Sequence, residues 1–281
     1  MPYRGRFAPS PTGKLHLGSM VAAVGSWLRA RRHGGAWLIR IEDLDSERKV
    51  AGADVEIIDT LARFGMQPDE PVIWQSHRAD LYQDAMNRLM AAAHVYRCAC
   101  SRRDLERFGG VHPARCVVAV GAWTDAAWRI RTDDQPVTFT DIRLGPQSFR
   151  LDLDGGDFIV LRRDGWPAYQ LGVAVDDAEQ CITEVVRGAD LLDSTPRQIL
   201  IQQRLELRRP AYLHLPVVLD SDGRKLGKQD RSTPVDPDAP MPALLAALDI
   251  LGFADIRASD PAVALDAALH HPAWSSSSLG G

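Results

Sequence analysis

The fold of this chain is decided by the stretch Arg6-Phe7-Ala8-Pro9-Ser10-Pro11-Thr12-Gly13-Lys14-Leu15-His16-Leu17-Gly18-Ser19. An apolar run that begins at Tyr3 predicts a first strand, and the apolar spacing over residues 17–32 predicts a helix. A strand, a glycine-containing loop and a helix N-terminus form an anion-binding corner, because unpaired backbone N–H groups and the positive end of the helix dipole face one point. From this stretch alone, a polar loop that only caps a helix is an equal alternative.

Strand and helix patterns alternate beyond this corner. Predicted strands at residues 36–42 and 71–74 alternate with predicted helices at 50–64 and 77–93. This alternation predicts an α/β fold with a doubly wound, parallel sheet. The pattern resumes late in the chain, with a strand at 181–186, a helix at 195–207 opened by Ser194 as its N-cap, and a strand at 212–219.

The alternation stops between residues 95 and 168. Short strand-like runs separated by turn residues predict an inserted, mostly β module there, and they lie at 128–131, 137–139, 148–153 and 158–161. A tail with two Ala/Leu-rich helical patterns follows, and its last residues are expected to fray. We therefore divide the chain into a first catalytic half at 1–94, the insert at 95–168, a second catalytic half at 169–230 and a short helical tail at 231–281.

The composition is that of an ordinary soluble enzyme, with 45% hydrophobic residues, 25% charged residues and a net charge of −4. No apolar run approaches the roughly 20 residues that a membrane span needs, and the N-terminus lacks the apolar core of a signal peptide. We expect a cytoplasmic protein with no membrane partner. Lysine is rare, and two of the four lysines lie close together at Lys225 and Lys228. This indicates a place where a compact ammonium is needed and a planar guanidinium is not.

Cysteine usage indicates a metal site in the insert, since disulfides are rare in the cytoplasm. Cys98, Cys100 and Cys116 lie near His112 in the sequence. A Cys3His set is common in structural zinc sites, although a one-residue gap between two cysteines is tighter than the usual spacing. Three reduced cysteines and a surface histidine are the alternative. Cys181 stands alone in an apolar run, and we expect it to be a small buried side chain.

Three linked motifs resemble the signatures of class I aminoacyl-tRNA synthetases of the glutamyl and glutaminyl branch. They are the stretch at residues 6–13, the segment His16-Leu17-Gly18-Ser19 and the loop Lys225-Leu226-Gly227-Lys228-Gln229. The runs at 40–43 and 169–177 belong to the same branch, so the resemblance covers residues 3 to 230 and implies a Rossmann-like catalytic domain. The 52 residues after Gln229 are too few for an anticodon-binding domain. The chain therefore resembles a truncated paralogue of that branch, which carries zinc in its insert.

The resemblance implies a role for each matching residue. Glutamate is expected to contact Arg6, Ala8, Ser10, Glu42, Tyr169 and Arg187. ATP, with Mg²⁺, is expected to contact His16, Gly18, Ser19 and Lys228, and the catalytic contacts to its phosphates are expected from His16, Lys225 and Lys228. One structural Zn²⁺ is expected at Cys98, Cys100, His112 and Cys116. A guanidinium at Arg187 suits the choice of a carboxylate over an amide, since two parallel N–H···O⁻ bonds are available only to the carboxylate.

Two positions depart from the pattern of the glutamyl branch. Val173 stands where an asparagine is usual, so one polar contact to the amino acid is lost. Gly227 stands where a serine is usual, which removes a hydroxyl from the lysine loop and makes this loop more flexible.

The resemblance implies that L-glutamate is activated as an adenylate and passed to the queuosine base in the anticodon stem-loop of tRNA(Asp). We assume that the protein is a monomer. Positioning and charge neutralisation would carry the catalysis. Two alternatives are a minimal glutamyl-tRNA synthetase that charges a tRNA 3′ end and a non-catalytic tRNA-binding regulator. Neither the loop within residues 6–19 nor the lysine loop at 225–229 is a Walker loop, so transfer of a γ-phosphoryl group is not implied.

Overall fold

The structure, a computed structural model, describes residues 1–45, 47–113, 116, 126–218 and 233–280. The strands in this part of the chain are β1 (Arg4–Phe7), β2 (Ala36–Ile41), β3 (Ile73–Trp74), β4 (Val95–Cys98), β5 (Ala127–Ile130), β6 (Val137–Asp141), β7 (Gly145–Phe149), β8 (Phe158–Leu161), β9 (Glu184–Gly188) and β10 (Ala211–Leu215). The α-helices are α1 (Leu17–Arg32), α2 (Ala53–Arg63), α3 (Ala79–Ala91), α4 (Arg102–Leu105), α5 (Tyr169–Glu179), α6 (Ser194–Arg204), α7 (Pro240–Leu251) and α8 (Pro261–Leu269). None of these helices is both long and apolar enough to cross a membrane.

Two groups of parallel strands meet side by side at the centre of the fold. β1, β2 and β3 form one group, and β9, β10 and β6 form the other, to which β7 adds an antiparallel edge. β1 lies beside β9, where the Thr183 amide donates to the Arg4 carbonyl over 2.9 Å. The strand order is thus β3-β2-β1-β9-β10-β6-β7, with a reversal of winding between β1 and β9. This order confirms the predicted α/β fold with a doubly wound parallel sheet.

Helices cover both faces of the central strands, because successive strand residues point to opposite faces. Ile39 and Leu213 pack with α1, α7 and α8 on one face. Leu38 and Tyr212 pack with α3, α5 and α6 on the other face. Both faces of the sheet are therefore buried, and β2 and β10, which have a strand on either side, are apolar over most of their length.

The segment predicted as an inserted β module is divided between two sheets. β4, β5 and β8 form an antiparallel sheet of their own. β6 and β7 come from the same segment, but β6 pairs with β10 through Asp141 and Tyr212 and so belongs to the central strands. Turn residues flank all of these short strands alike, so the sequence pattern does not separate them. The domain boundaries themselves stay predictions.

Three local expectations are wrong. Cys181 is exposed, with a left-handed φ of 54° just after α5. Ser194 is the first residue of α6, and the preceding Asp193 makes no side-chain capping bond. The end of the chain is not frayed at Leu279, which is fully buried near Gly25 of α1. The Leu279 carbonyl also accepts a hydrogen bond from Arg29 Nη1 over 2.9 Å, which holds the tail against the first helix.

Candidate active site

A cavity of about 230 Å³ opens at the carboxyl ends of the central strands. Its walls come from the ends of β1, β2, β9 and β10 and from the N-termini of α1 and α5. The cavity therefore lies where the winding reverses, which is the crevice in which doubly wound sheets bind ligands. Every predicted glutamate or ATP contact that lies within the described residues lines this cavity: Arg6, Ala8, Ser10, His16, Gly18, Ser19, Glu42, Tyr169 and Arg187.

His16 caps the N-terminus of α1 at the cavity wall. Its Nδ1 accepts the Ser19 backbone N–H over 3.3 Å, and its Nε2 lies 3.2 Å from Ser19 Oγ. The first turn of α1 carries no acidic residue, whereas the last turn carries Arg29, Arg31 and Arg32. The positive end of the helix dipole therefore faces the cavity without an acidic residue to offset it, which suits a phosphate group.

A buried network of charges lies beside the cavity at Arg6 and Glu42. Asp177 accepts hydrogen bonds from Nε and Nη2 of Arg6, at 3.1 and 3.2 Å, and from Nη1 of Arg40 at 2.8 Å. Arg40 Nη2 also donates to Glu42 over 3.2 Å. The charge of Arg6 is thus matched by Asp177, and Glu42 shares the Arg40 guanidinium with that aspartate.

The two buried carboxyls of this network differ in their pKa. Burial raises the pKa of Glu42, and the nearby Arg40 and Arg6 offset this only in part. Asp177 is buried as well, yet Arg6 and Arg40 outweigh that burial and lower the pKa of its carboxyl. Glu42 is therefore the carboxyl whose ionised form has too little positive charge around it. It is suited to accept a cationic group of a ligand, such as an ammonium.

Arg187 lines the cavity together with Tyr169, and neutral groups hold its guanidinium. Nε donates to His214 Nε2 over 3.2 Å. Nη1 donates to Gln198 Oε1 over 2.9 Å, and Nη2 to Thr195 Oγ1 over 2.8 Å. Within the described part of the chain, no carboxylate forms an ion pair with Arg187. Its positive charge is thus available to a carboxylate of a ligand.

Sequence reasoning missed the residues that hold Arg187. Thr195 and Gln198 lie on α6, and His214 lies on β10, so their contacts with Arg187 depend on the tertiary structure. One signal was present: His214 is a polar residue inside an otherwise apolar strand, and its side chain is fully buried. A buried polar side chain needs hydrogen-bond partners, which makes such a residue a candidate for a network.

Lys225 and Lys228, the predicted lysine contacts to phosphate, lie outside the described residues, as does Gly227. The described residues that are nearest to them in sequence contact the cavity or one of its lining residues. Residues 216–218 line the cavity, and Pro234 forms a β-bridge with His16.

Cys98, Cys100, His112 and Cys116 form one cluster, as the sequence predicts. Their potential ligand atoms all lie within 4.8 Å of one another. Four ligands of a tetrahedral zinc ion, at about 2.0–2.3 Å from it, lie roughly 3.5–4 Å apart. The cluster is therefore compatible with zinc in its donor set and in its spacing.

Tyr96 and Asp157 orient His112 toward the cysteines. The Tyr96 hydroxyl donates to Asp157 Oδ2 over 2.7 Å and lies 3.2 Å from His112 Nδ1. Because the hydroxyl hydrogen is directed to the carboxylate, the oxygen accepts from Nδ1–H, and Nε2 is left to bind a metal. Burial and the neighbouring cysteines raise the pKa of Cys116 to about 12, so this thiolate requires a cation nearby to form at neutral pH.

Comparisons with known proteins agree with this geometry. The chain matches the family model for the catalytic domain of class I tRNA synthetases (E and Q) over residues 3–112 and 124–256. It is 52% identical over 264 residues to a protein of Burkholderia cenocepacia named glutamyl-Q tRNA(Asp) synthetase, covering 90% of this chain and 89% of that protein. A protein of the same name from Xanthomonas campestris pv. campestris is 49% identical over 254 residues, covering 90% of this chain and 85% of that protein.

Among solved structures, the chain resembles a glutamate tRNA ligase from Elizabethkingia meningosepticum in complex with its amino acid. The TM-score is 0.73 and the sequence identity is 28%. The match covers 82% of this chain and 52% of the ligase. The chain thus spans about half the length of that ligase.

Proposed function

The chain belongs to the class I tRNA synthetases of the glutamate and glutamine (E and Q) type, and we propose that it activates L-glutamate with ATP and transfers it to the queuosine base in the anticodon of tRNA(Asp). The observation that carries this proposal is the similarity, over 90% of the chain, to relatives named for that activity. The cavity supports it, because groups suited to an amino acid and groups suited to phosphate line one space.

Glutamate is bound by charge at both of its ends. Glu42 accepts the α-ammonium, which supplies the positive charge that its buried carboxyl lacks. Arg187 and Tyr169 contact the side-chain carboxylate, and Arg6, Ala8 and Ser10 complete the wall around the amino acid. The selection of glutamate over glutamine follows from the Arg187 guanidinium, because an amide offers only one acceptor oxygen.

ATP, with its Mg²⁺, is bound at the N-terminus of α1, by His16, Gly18 and Ser19. The α-carboxylate oxygen of glutamate attacks the α-phosphorus, and pyrophosphate leaves. Backbone N–H groups and the helix dipole stabilise the charge that develops on the phosphate oxygens. Lys225 and Lys228 add positive charge to the phosphates, and this assignment rests on their sequence motif alone.

A hydroxyl of the queuosine ring then attacks the acyl carbon of the adenylate, so that an ester bond forms, AMP leaves and the hydroxyl proton is released. The working form is a monomer in the cytoplasm, and the anticodon stem-loop is the part of tRNA(Asp) that it binds. Cys98, Cys100, His112 and Cys116 would hold one structural Zn²⁺, which would link these four residues to one another. Such an ion supplies no chemistry to the reaction.

Amino-acid activation is tested by ATP–pyrophosphate exchange with glutamate, glutamine and aspartate, each with and without tRNA. The proposal predicts exchange with glutamate and much weaker exchange with the other two amino acids. No glutamate-dependent exchange by the folded, zinc-replete protein would favour a non-catalytic regulator.

The acceptor is tested by acid-gel analysis of where labelled glutamate is attached. We expect label on tRNA(Asp) that contains queuosine, and none on the same tRNA without this base. Label on the 3′ adenosine of tRNA(Glu) would favour a minimal glutamyl-tRNA synthetase.

A further inference from the structure

Arg187 is held from behind by a chain of buried side chains that do not line the cavity. Its Nε donates to His214 Nε2, and its Nη2 donates to Thr195 Oγ1. His214 Nδ1 in turn lies 2.7 Å from Asp141 Oδ2. Asp141, Thr195 and His214 each expose 1% or less of their surface, so water does not compete for these bonds.

The hydrogen-bond pattern defines the form of the His214 ring. Because Nε2 accepts from Arg187, the ring hydrogen lies on Nδ1 and is donated to Asp141. Burial lowers the pKa of His214 and outweighs the hydrogen bond to Asp141, which acts in the other direction. The ring is therefore neutral at pH 7 and acts as an acceptor toward Arg187.

Asp141 anchors this chain to the backbone. Its Oδ1 accepts from the backbone N–H groups of Arg143 and Leu144, at 3.0 and 2.9 Å. Its Oδ2 accepts from the backbone N–H of His214 at 3.1 Å, in addition to the ring. The imidazole is thus fixed to the end of β6 and to β10 at the same time, which leaves it little freedom to rotate.

We propose that Asp141, His214 and Thr195 are positioning residues that set the orientation of Arg187 and thereby the selection of glutamate over glutamine. This inference rests on the proposed function. A guanidinium has five N–H donors, and three of those of Arg187 are engaged by described neighbours. The other two, one on each Nη, are held in place to donate to a carboxylate, whereas the NH₂ group of an amide would face them as a second donor.

Neutral acceptors suit this task better than a carboxylate does. In the same protein, Arg6 donates to both oxygens of Asp177, and Arg29 donates to both oxygens of Glu184. An ion pair of this kind fixes the orientation of a guanidinium but also neutralises its positive charge. His214, Thr195 and Gln198 fix Arg187 and leave its charge for the ligand.

The test is a pair of variants at His214 in the full chain, measured by glutamate-dependent exchange. H214N keeps a donor toward Asp141 but removes the acceptor for Arg187, whereas H214Q places an amide oxygen near the former Nε2. We expect H214N to raise the KM for glutamate about 10-fold or more and to reduce the preference for glutamate over glutamine, since a hydrogen bond to a charged group is lost. The KM for ATP should stay unchanged in both variants, and H214Q should recover most of the glutamate affinity.

A KM for glutamate in H214N equal to that of the wild type would overturn the inference, as would an H214Q variant as impaired as H214N. Should H214N fail to fold, T195V replaces the test, since valine keeps the shape of threonine and removes the hydroxyl that accepts from Arg187. An unchanged KM for glutamate in T195V would then overturn it. A wild type without glutamate-dependent exchange contradicts the proposed function instead.

Discussion

Glu42 and Arg187 present charges to the cavity that the protein itself leaves partly unmatched. Glu42 shares Arg40 with Asp177, and burial raises its pKa. Arg187 is held by neutral acceptors. Because an unmatched buried charge costs stability, these two positions are where the protein gains most from a ligand of opposite charge. An amino acid with an additional carboxylate carries both of the charges needed.

The variant E42Q is expected to bind glutamate more weakly without a loss of stability. The KM for glutamate should rise about 10-fold or more, because the glutamine has no charge to offer the α-ammonium and a hydrogen bond to a charged group contributes roughly 1.5–3 kcal/mol. The melting temperature should not fall, since the ionised carboxyl is itself disfavoured by burial. Exchange kinetics and thermal denaturation measure the two effects. An equal rise in the KM for ATP would indicate a general distortion of the cavity.

The raised pKa of Glu42 also predicts how glutamate binding depends on pH. In the proposed complex the ionised form accepts the ammonium, so the KM for glutamate should rise as the pH falls toward a pKa above the ordinary value of 4.5. The side-chain carboxyl of the substrate has a pKa of about 4.3, and its titration affects the KM of E42Q in the same way as that of the wild type. The difference between the pH profiles of the wild type and E42Q therefore isolates Glu42. Parallel profiles would contradict the prediction.

Among the elements, α1 was predictable to the residue, whereas α5 was not predicted. The apolar spacing of α1 follows a helical period, so its pattern is visible in the sequence. The buried side of α5 carries Asp176 and Asp177, which are neutralised by Arg78 and Arg40 from distant parts of the chain. Because residues 171–177 of α5 are all buried, and two of them are aspartates paired with distant arginines, no single apolar face of helical period stands out in the sequence.

The candidate site likewise has a part that local sequence patterns predict and a part that depends on contacts between distant elements. The corner at residues 6–19 is a local motif, and Glu42 directly follows β2, so both could be located in the sequence. The contacts of Arg187 with Thr195 and His214 join β9, α6 and β10. They exist only once these elements have packed, and no local pattern encodes them. The roles of Lys225 and Lys228 stay predictions.

The Cys3His cluster predicts a zinc ion that stabilises the sheet formed by β4, β5 and β8. The wild-type protein is expected to bind about one zinc ion per chain. The variant C100S is expected to lose most of this zinc, because a structural site needs all four ligands. The variant C181S is a matched control, since Cys181 is exposed and lies outside the cluster. Zinc content by mass spectrometry and the melting temperature measure the effect. Full zinc content in C100S would exclude this cysteine as a ligand.

At the scale of the whole molecule, a buried ion pair joins the first helix, the central strands and the end of the chain. Arg29 donates to both oxygens of Glu184, at 2.8 and 2.6 Å, and to the Leu279 carbonyl. The Tyr3 hydroxyl donates to the same glutamate over 2.8 Å. α1, β9 and the C-terminal segment are therefore held by one set of hydrogen bonds on the side chain of a single arginine.

The variant R29M is expected to destabilise the protein by about 3–5 kcal/mol, because it leaves Glu184 buried without a cation. The matched control is R63M, which removes an arginine that pairs with Asp59 at the surface. Exposed pairs of this kind contribute little, so the control should leave the melting temperature nearly unchanged. Denaturation by heat and by urea measures both variants. Equal effects of R29M and R63M would contradict the importance assigned to the buried pair.

The position of β1 has a consequence for folding during synthesis on the ribosome. Arg4 and Thr183, which bring β1 and β9 together, are separated by 179 residues. At about 5–20 residues per second, the ribosome delivers the second of them roughly 10–35 seconds after the first. Until then one edge of β1 has no neighbouring strand, and the nascent chain lacks Arg187, the residue proposed to select the amino acid. β9 must therefore be synthesised before the second edge of β1 is paired, and until then this edge is a place where unfinished chains can self-associate.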